Sequence, residues 1–335
     1  MSRILITGGG GFVGSHLAAR ALAEGHEVHV TVRPGSDHAR LTRVGRELVC
    51  HSLDLRDEAA LGRCLEDAAP ERIVHLAASP RRPERADLGD VADFVRDDLG
   101  GLVRLLSLAA ALPRPPAAFV RTGSLAEYGS APVPQAEVAR EQPVTAYGAA
   151  LVAATQIMGA IAPRLPFPVL TARLALVFGP EQSPDYLIPR LVAGCLEGSE
   201  TVIRRPGDRR DLIHVDDVVD ALMRLVDERA TGIVNVASGV APTMREVAAE
   251  IVSLTGCDPA LVRFEAGAPS GSAHLCCATD KARERFGIRP RTDWREGLAE
   301  TVDWYRWRRA VTRLGIVAGP RVHPTPGREL VSTGV

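Results

Sequence analysis

The chain has 335 residues, 46% hydrophobic and 24% charged, with a formal net charge of −1. That length can bury one large core or two smaller ones, and the composition is ordinary for a soluble globular protein. The near-neutral balance removes any electrostatic case for a nucleic-acid partner or an anionic membrane surface.

Residues 3–6 (Arg-Ile-Leu-Ile) read as a buried strand, and residues 12–22 carry apolar side chains at helical spacing. Between them stand Gly8, Gly11 and Gly14, three apart. This G-x-x-G-x-x-G is a variant of the dinucleotide fingerprint, and its setting of strand, turn, helix and second strand is what gives it weight. Without Cβ atoms the backbone N–H groups can approach a pyrophosphate, and the helix N-terminus adds positive potential. The last glycine lets the helix pack closely on the strand. A dinucleotide site is expected here, held by Gly8, Gly11, Phe12, Val13 and Gly14.

After a helix stopped by Gly25, residues 27–32 form a second strand. A carboxylate at its tip would bond a ribose 2′-OH, whereas an arginine accepts a 2′-phosphate. Val32 fills the acidic slot and Arg33 follows, so NADP(H) is favoured over NAD(H). The competing reading stacks Arg33 on adenine or leaves it in solvent. A third strand (47–50) leads to Asp54 and Leu55. Asp54 is expected to meet adenine, with Leu55 lining its pocket, or else Asp54 or Asp57 caps the next helix. That helix (58–69) precedes a fourth strand (72–78), which ends at Leu76, Ala77 and Ala78, where small side chains let the backbone pass a cofactor. His75 within it reads as a packed core histidine.

A polar, proline-broken loop (79–90) leads to a long apolar helix (94–112). A fifth strand (117–121) opens into Thr122-Gly123-Ser124-Leu125-Ala126-Glu127-Tyr128-Gly129. Tyr147 stands at the start of another helix (146–162), and Arg173 on a strand over 168–174. From about residue 180 the alternation loosens into shorter pieces, among them helices over 216–227, 243–255 and 295–309. The fold class is α/β: a Rossmann-type doubly wound parallel sheet over 1–180, with a smaller C-terminal α/β substrate lobe over 181–317. Strand 233–237 is placed to return to the main sheet, and 318–335 reads as a disordered tail. The six cysteines include no C-x-x-C pair and no metal spacing, so reduced thiols and no metal are expected. The strand at residue 3 leaves no room for a signal peptide and no apolar run reaches membrane-spanning length, so a cytoplasmic protein is the expectation.

Taken together, these motifs resemble the extended short-chain dehydrogenase/reductase family, in its branch of nucleotide-sugar epimerases, dehydratases and 4-ketoreductases. The resemblance runs from Ile4 to about Tyr305. It is carried by Thr7-Gly8-x-x-Gly11-Phe12-x-Gly14, Asp54-Leu55, His75-Leu76-Ala77-Ala78, Ser124 four residues before Tyr128-Gly129, and Tyr147. Arg173 with Gly179-Pro180, Arg210-Asp211-x-Ile213-His214 and Asn235-Val236 continue the series. The resemblance implies hydride transfer between a nicotinamide and a sugar carbon, with Tyr147 moving the proton and Ser124 bonding the same oxygen. It implies that Arg210 grips the nucleotide diphosphate, unless an ion pair with Asp208 or Asp211 occupies it. It also implies a homodimer through the helices at 94–112 and 147–162.

Three departures stand out. The family reads Tyr-x-x-x-Lys, but here Leu151 follows Tyr147 by four, and Lys281 is the only lysine in the chain. Dehydratases of the family carry Asp-Glu after the serine or threonine; here those positions are Leu125 and Ala126, with Glu127 one residue later, to contact substrate or cap the loop. Leu176 replaces an asparagine that many relatives place near the diphosphate. Loss of the lysine has a direction. A phenol near its ordinary pKa of about 10 is protonated at neutral pH, with only about one in a thousand ionised at pH 7. It is ready to give a proton and poorly prepared to take one. The leading expectation is a reductase of a keto group on a nucleotide sugar. The alternatives are an epimerase that retains NAD, and a dinucleotide-binding protein that has lost turnover.

Overall fold

A computed structural model describes residues 1–45, 47–78, 85–265 and 273–313. The first half alternates strand and helix: β1 (Arg3–Thr7), α1 (Phe12–Ala23), β2 (Glu27–Val32), β3 (Val49–Ser52), α2 (Glu58–Ala68) and β4 (Arg72–His75). Next come α3 (Gly89–Asp93), a π-helical stretch (Phe94–Leu99) running into α4 (Gly100–Ala110), β5 (Ala118–Ser124), α5 (Ala146–Ile161) and β6 (Val169–Leu174). Seven strands pair in parallel in the order β11-β6-β5-β4-β1-β2-β3, where β11 is Gly232–Val236. Side chains alternate between the faces: Ile4 and Ile6 join the core under α1, and Leu5 the core under α2, α4 and α5. The order reverses beside β1, which places a crevice at the carboxyl edge of the sheet.

The remaining elements are β7 (Leu176–Phe178), α6 (Leu187–Glu197), β8 (Thr201–Ile203), β9 (Arg209–Arg210), β10 (Leu212–His214) and α7 (Val215–Asp227). After β11 follow α8 (Met244–Thr255), β12 (Val262–Phe264), β13 (His274–Leu275), α9 (Asp280–Phe286) and α10 (Trp294–Arg313). Here the expected division at residue 180 is too simple. Strongly amphipathic α7 buries Val218, Leu222, Leu225 and Val226 beside α1 in the main core, and Phe286 and Ile288 join it there. A separate core of α6, α8 and α10 makes the small lobe.

Other boundaries shift for tertiary reasons. The third strand is Val49–Ser52, not 47–50, because it pairs His29↔Val49 through Val32↔Ser52 with buried β2. The fifth runs on to Ser124, since Gly123 and Ser124 still pair with Arg173 and Leu174 of β6. Against the expectation that no run reaches membrane-spanning length, the helical stretch Ala146–Arg164 has 19 residues of mean hydropathy 1.3 and meets that test by length and composition. One face of it buries Leu151, Ala154 and Met158, and the other presents small residues such as Ala149, Ala153 and Ala160. The tail expected at 318–335, the end of the lobe at 314–317 and most of the loop at 79–90 lie outside the described residues.

Candidate active site

The carboxyl ends of the central strands open into a cleft of about 460 Å³. Its first wall is the glycine turn. Gly8 has φ +75, and a Cβ there would lie 2.9 Å from the Ala77 backbone nitrogen at the end of β4. A Cβ on Gly14 would collide with the Gly8 carbonyl oxygen, so only glycine lets α1 sit this close to the turn. The Gly11 amide donates to that same oxygen at 3.0 Å. Gly11 caps α1 without a side-chain bond, leaving the positive end of the helix to an anion. Phe12, Val13, Leu76 and Ala78 line the cleft beside it. The cradle, empty of Cβ atoms and rich in backbone donors, fits the pyrophosphate of a dinucleotide.

Residues expected at the adenosine end lie outside this lining. Arg33 is exposed at the tip of β2. Asp54 binds the Arg56 side chain with both oxygens, accepting from Nε at 3.0 Å and Nη2 at 2.7 Å. That bond, with Arg33 adding, holds the Asp54 carboxyl below its ordinary range. Capping of α2 falls to Asp57, which accepts from the Ala60 amide at 2.9 Å. Leu55 is half-buried against the core of α2 and α4. His75 is a packed core residue as read: its Nδ1 lies 2.7 Å from Thr7 Oγ1, and burial, with Arg121 adding, lowers its pKa to about 3.

At the other end, β5 and α5 bring Ser124 and Tyr147 to the same cleft. Ser124 starts a tight turn: its Oγ accepts from the Ala126 amide at 3.2 Å, and its own amide donates to Glu127 Oε1 at 3.1 Å. With Oγ accepting from the turn, the hydroxyl hydrogen is left to donate. Thr145 caps α5 through the Gly148 amide, and a Cβ on Gly148 would lie 2.5 Å from the Ala126 carbonyl oxygen. The glycine after Tyr147 therefore lets the start of α5 press directly on the Ser124 turn. Burial pushes the Tyr147 phenol up to about 12; Tyr186, Glu127 and Asp98 push the same way, and Arg121 opposes them. Leu151 is 3% exposed and lines the cleft one turn further along, where the family lysine would stand.

Glu127 needs correction. It is fully buried and accepts from Thr155 Oγ1 at 2.8 Å and from Arg173 Nε at 2.9 Å, so of its two expected roles substrate contact falls and capping stands. Arg173 bridges on to Glu141 and lies 4.5 Å over the Tyr128 ring. A buried arginine so surrounded keeps its partners fixed, and its loss would leave an uncompensated charge.

Arg210 and Leu176 stand where the cleft meets a second hollow of about 820 Å³ in the small lobe. Arg210 donates to Asp208 Oδ2 at 2.7 Å, so the expected ion pair forms, and the residue still lines both spaces. Arg190, Arg204 and Arg205 line the hollow too. Asp211 is not an ion-pair partner: it accepts from the backbone of Ser238, Gly239 and Cys277 and joins local turns.

A family model of the NAD dependent epimerase/dehydratase family matches residues 4–237. The chain belongs to this family. Among its relatives, a dTDP-glucose 4,6-dehydratase of Streptomyces niveus is 30% identical, over 92% of this chain and 94% of that one. A probable UDP-glucuronate 4-epimerase of Rhizobium meliloti is 29% identical, over 93% of this chain and all of the other. The solved structure of MoeE5 in complex with UDP-glucuronic acid and NAD superposes with a TM-score of 0.80 at 29% identity, covering 91% of this chain and 99% of that one. This family member is thus an extended short-chain dehydrogenase/reductase with nucleotide-sugar dehydratases and epimerases as homologues.

Sequence reasoning missed Arg121, Tyr186 and the lobe arginines. Arg121 left a signal: a charged residue directly after the apolar run Ala118-Phe119-Val120 of a central strand demands a buried partner. The lobe arginines left none, since surface arginines abound in this chain.

Proposed function

We propose that the enzyme reduces a keto group on a nucleotide-activated sugar with NADP(H). The carrying observation is a cleft lined by both Ser124 and the half-buried Tyr147, whose phenol burial pushes up to about 12, with Leu151 in place of an ammonium. A bound nicotinamide would supply the hydride, accepted by the sugar carbonyl carbon. Tyr147 Oη gives its proton to the carbonyl oxygen, and Ser124 donates a hydrogen bond to that oxygen as charge develops on it. Leu125 and Ala126 offer no carboxylate for water elimination, which speaks against dehydratase chemistry by the acid–base pair of that branch. Arg210, with Arg190, Arg204 and Arg205 beyond it, suits the diphosphate and nucleotide of the substrate. Arg33, with no carboxylate at Val32, favours a 2′-phosphate; the solved relative above holds NAD, which makes NAD(H) the competing choice. Exposed Val91, Val95 and Val103 before and on α4, with the small residues of α5, suit a homodimer.

The test is single-turnover consumption of NADPH by 4-keto sugar nucleotides. Consumption is expected, and Tyr147→Phe is expected to slow it by about 10²–10⁴-fold while NADPH affinity holds. No consumption with any such sugar would overturn the reading. The names of the relatives favour a second reading, an epimerase keeping its coenzyme; oxidised NAD released from freshly purified protein would support that one.

A further inference from the structure

The missing lysine leaves Tyr147 without the cation that would steady its ionised form, and the chain's single lysine cannot move there. Lys281 Nζ donates to the Ile233 carbonyl oxygen at 2.6 Å, beside β11 at the edge of the sheet. Two other buried or half-buried arginines near the cleft are committed: Arg173 to Glu127 and Glu141, and Arg210 to Asp208.

Arg121 is placed differently. It rises from β5, the strand that ends in Ser124, and is 4% exposed. Its Nη1 donates to Thr155 Oγ1 at 3.1 Å. Tyr147, Leu151 and Thr155 recur at four-residue intervals and so share one face of α5. The guanidinium is therefore anchored on the face that bears Tyr147, behind the leucine that replaced the lysine. Leu151 also walls a small cavity of about 20 Å³, room for about one water, which Arg121, Asp98 and Thr122 line. The titratable groups that act most on Tyr147 are Arg121 from β5, Glu127 from the following turn, Asp98 from the π-helical stretch and, when ionised, Tyr186 from the segment before α6. Of these, Arg121 alone is positive. Burial lowers its proton affinity and Glu127 opposes that loss, while a guanidinium that starts above about 12 retains its charge in a protein.

We propose that Arg121 is the positioning cation of this site, which, hooked to α5 through Thr155, stabilises the tyrosinate left when Tyr147 gives its proton to the substrate oxygen. This rests on Tyr147 being the proton donor. The resting phenol stays protonated, as reduction requires, and the charge it acquires afterwards is met from beneath the helix instead of along it.

The test reads Tyr147 itself and needs no substrate. The four tyrosines are replaced biosynthetically by a fluorinated tyrosine that ionises at accessible pH. The Tyr147 fluorine resonance is assigned by its loss in Tyr147→Phe, and its titration midpoint is followed by NMR. Arg121→Gln, which keeps a donor for Thr155 but no charge, is expected to raise the midpoint by about one pH unit, a tenfold change in proton affinity. Arg121→Lys should stay near the parent. In the double variant Arg121→Gln/Leu151→Lys the midpoint should return. Should Arg121→Gln fail to fold, the near-isosteric Thr155→Val unhooks the guanidinium and is expected to raise the midpoint by a smaller amount. An unmoved midpoint in Arg121→Gln, or in Thr155→Val where it stands in, overturns the proposal. If NADPH is never consumed but the midpoint moves, the proposed reaction fails and the placement of the cation survives. If turnover is seen and the midpoint is fixed, the reverse holds.

Discussion

Around Gly8, Gly11 and Gly14 the cleft is shaped by side-chain atoms that are missing, whereas around Tyr147 it is shaped by charges that are buried. At the glycine end, each position is specified by a near neighbour: Gly14 by the Gly8 carbonyl oxygen, Gly8 by Ala77. The other end depends on Arg121, Glu127, Thr155 and Arg173, drawn from β5, its turn, α5 and β6 and tied by hydrogen bonds of 2.8–3.1 Å. The first end tolerates no addition. The second tolerates no subtraction, because a buried charge that loses its partner is not re-solvated.

The comparison can be broken most sharply at Glu127. Glu127→Ala leaves Arg173 and Arg121 facing each other with one carboxylate fewer, and is expected to lower unfolding free energy by about 3–5 kcal/mol in urea titration. A loss no larger than that of a surface glutamate would mean the network is not what holds this end. Gly14→Val comes next. Forced against the Gly8 oxygen, it should destabilise the fold by about 1–3 kcal/mol and remove detectable coenzyme binding in calorimetry. Retained affinity would show that the turn has slack.

His75 joins the two ends, bonded to Thr7 of β1 and paired in register with Arg121 of β5. Its folded pKa, lowered to about 3, lies below the ordinary 6.5 of an unfolded histidine. Above pH 6.5 both states are neutral and this residue contributes nothing to pH dependence. Between about pH 6.5 and 3 only the unfolded chain takes the proton, so stability falls by about 1.4 kcal/mol per pH unit. His75→Gln should therefore lose less stability on acidification from pH 6.5 to 5 than the parent; equal slopes would mean that His75 takes up its proton in the folded state.

Much of this was legible in the chain, and the legible part has a common character. The glycine spacing, the alternation of strands and helices, Ser124 ahead of Tyr128-Gly129, and Tyr147 at a helix start are all local patterns. Each is set by steric or periodic rules acting over a few residues. The errors arose where a choice depended on something distant. Both roles for Glu127 suited its sequence neighbours, and only Thr155 and Arg173, 28 and 46 residues away, decided between them.

By itself, then, the sequence determined that a dinucleotide-binding sheet begins at residue 3, that a serine and a tyrosine face its carboxyl edge, and that Tyr147 has no lysine one turn on. Tertiary structure decided that α7 packs into the main core, that Glu127 is sealed beneath the site, and that an arginine reaches the helix face behind Leu151. The reason is range: steric fit in a tight turn is resolved among adjacent residues, whereas a buried charge is placed by partners that only folding brings within a few ångströms.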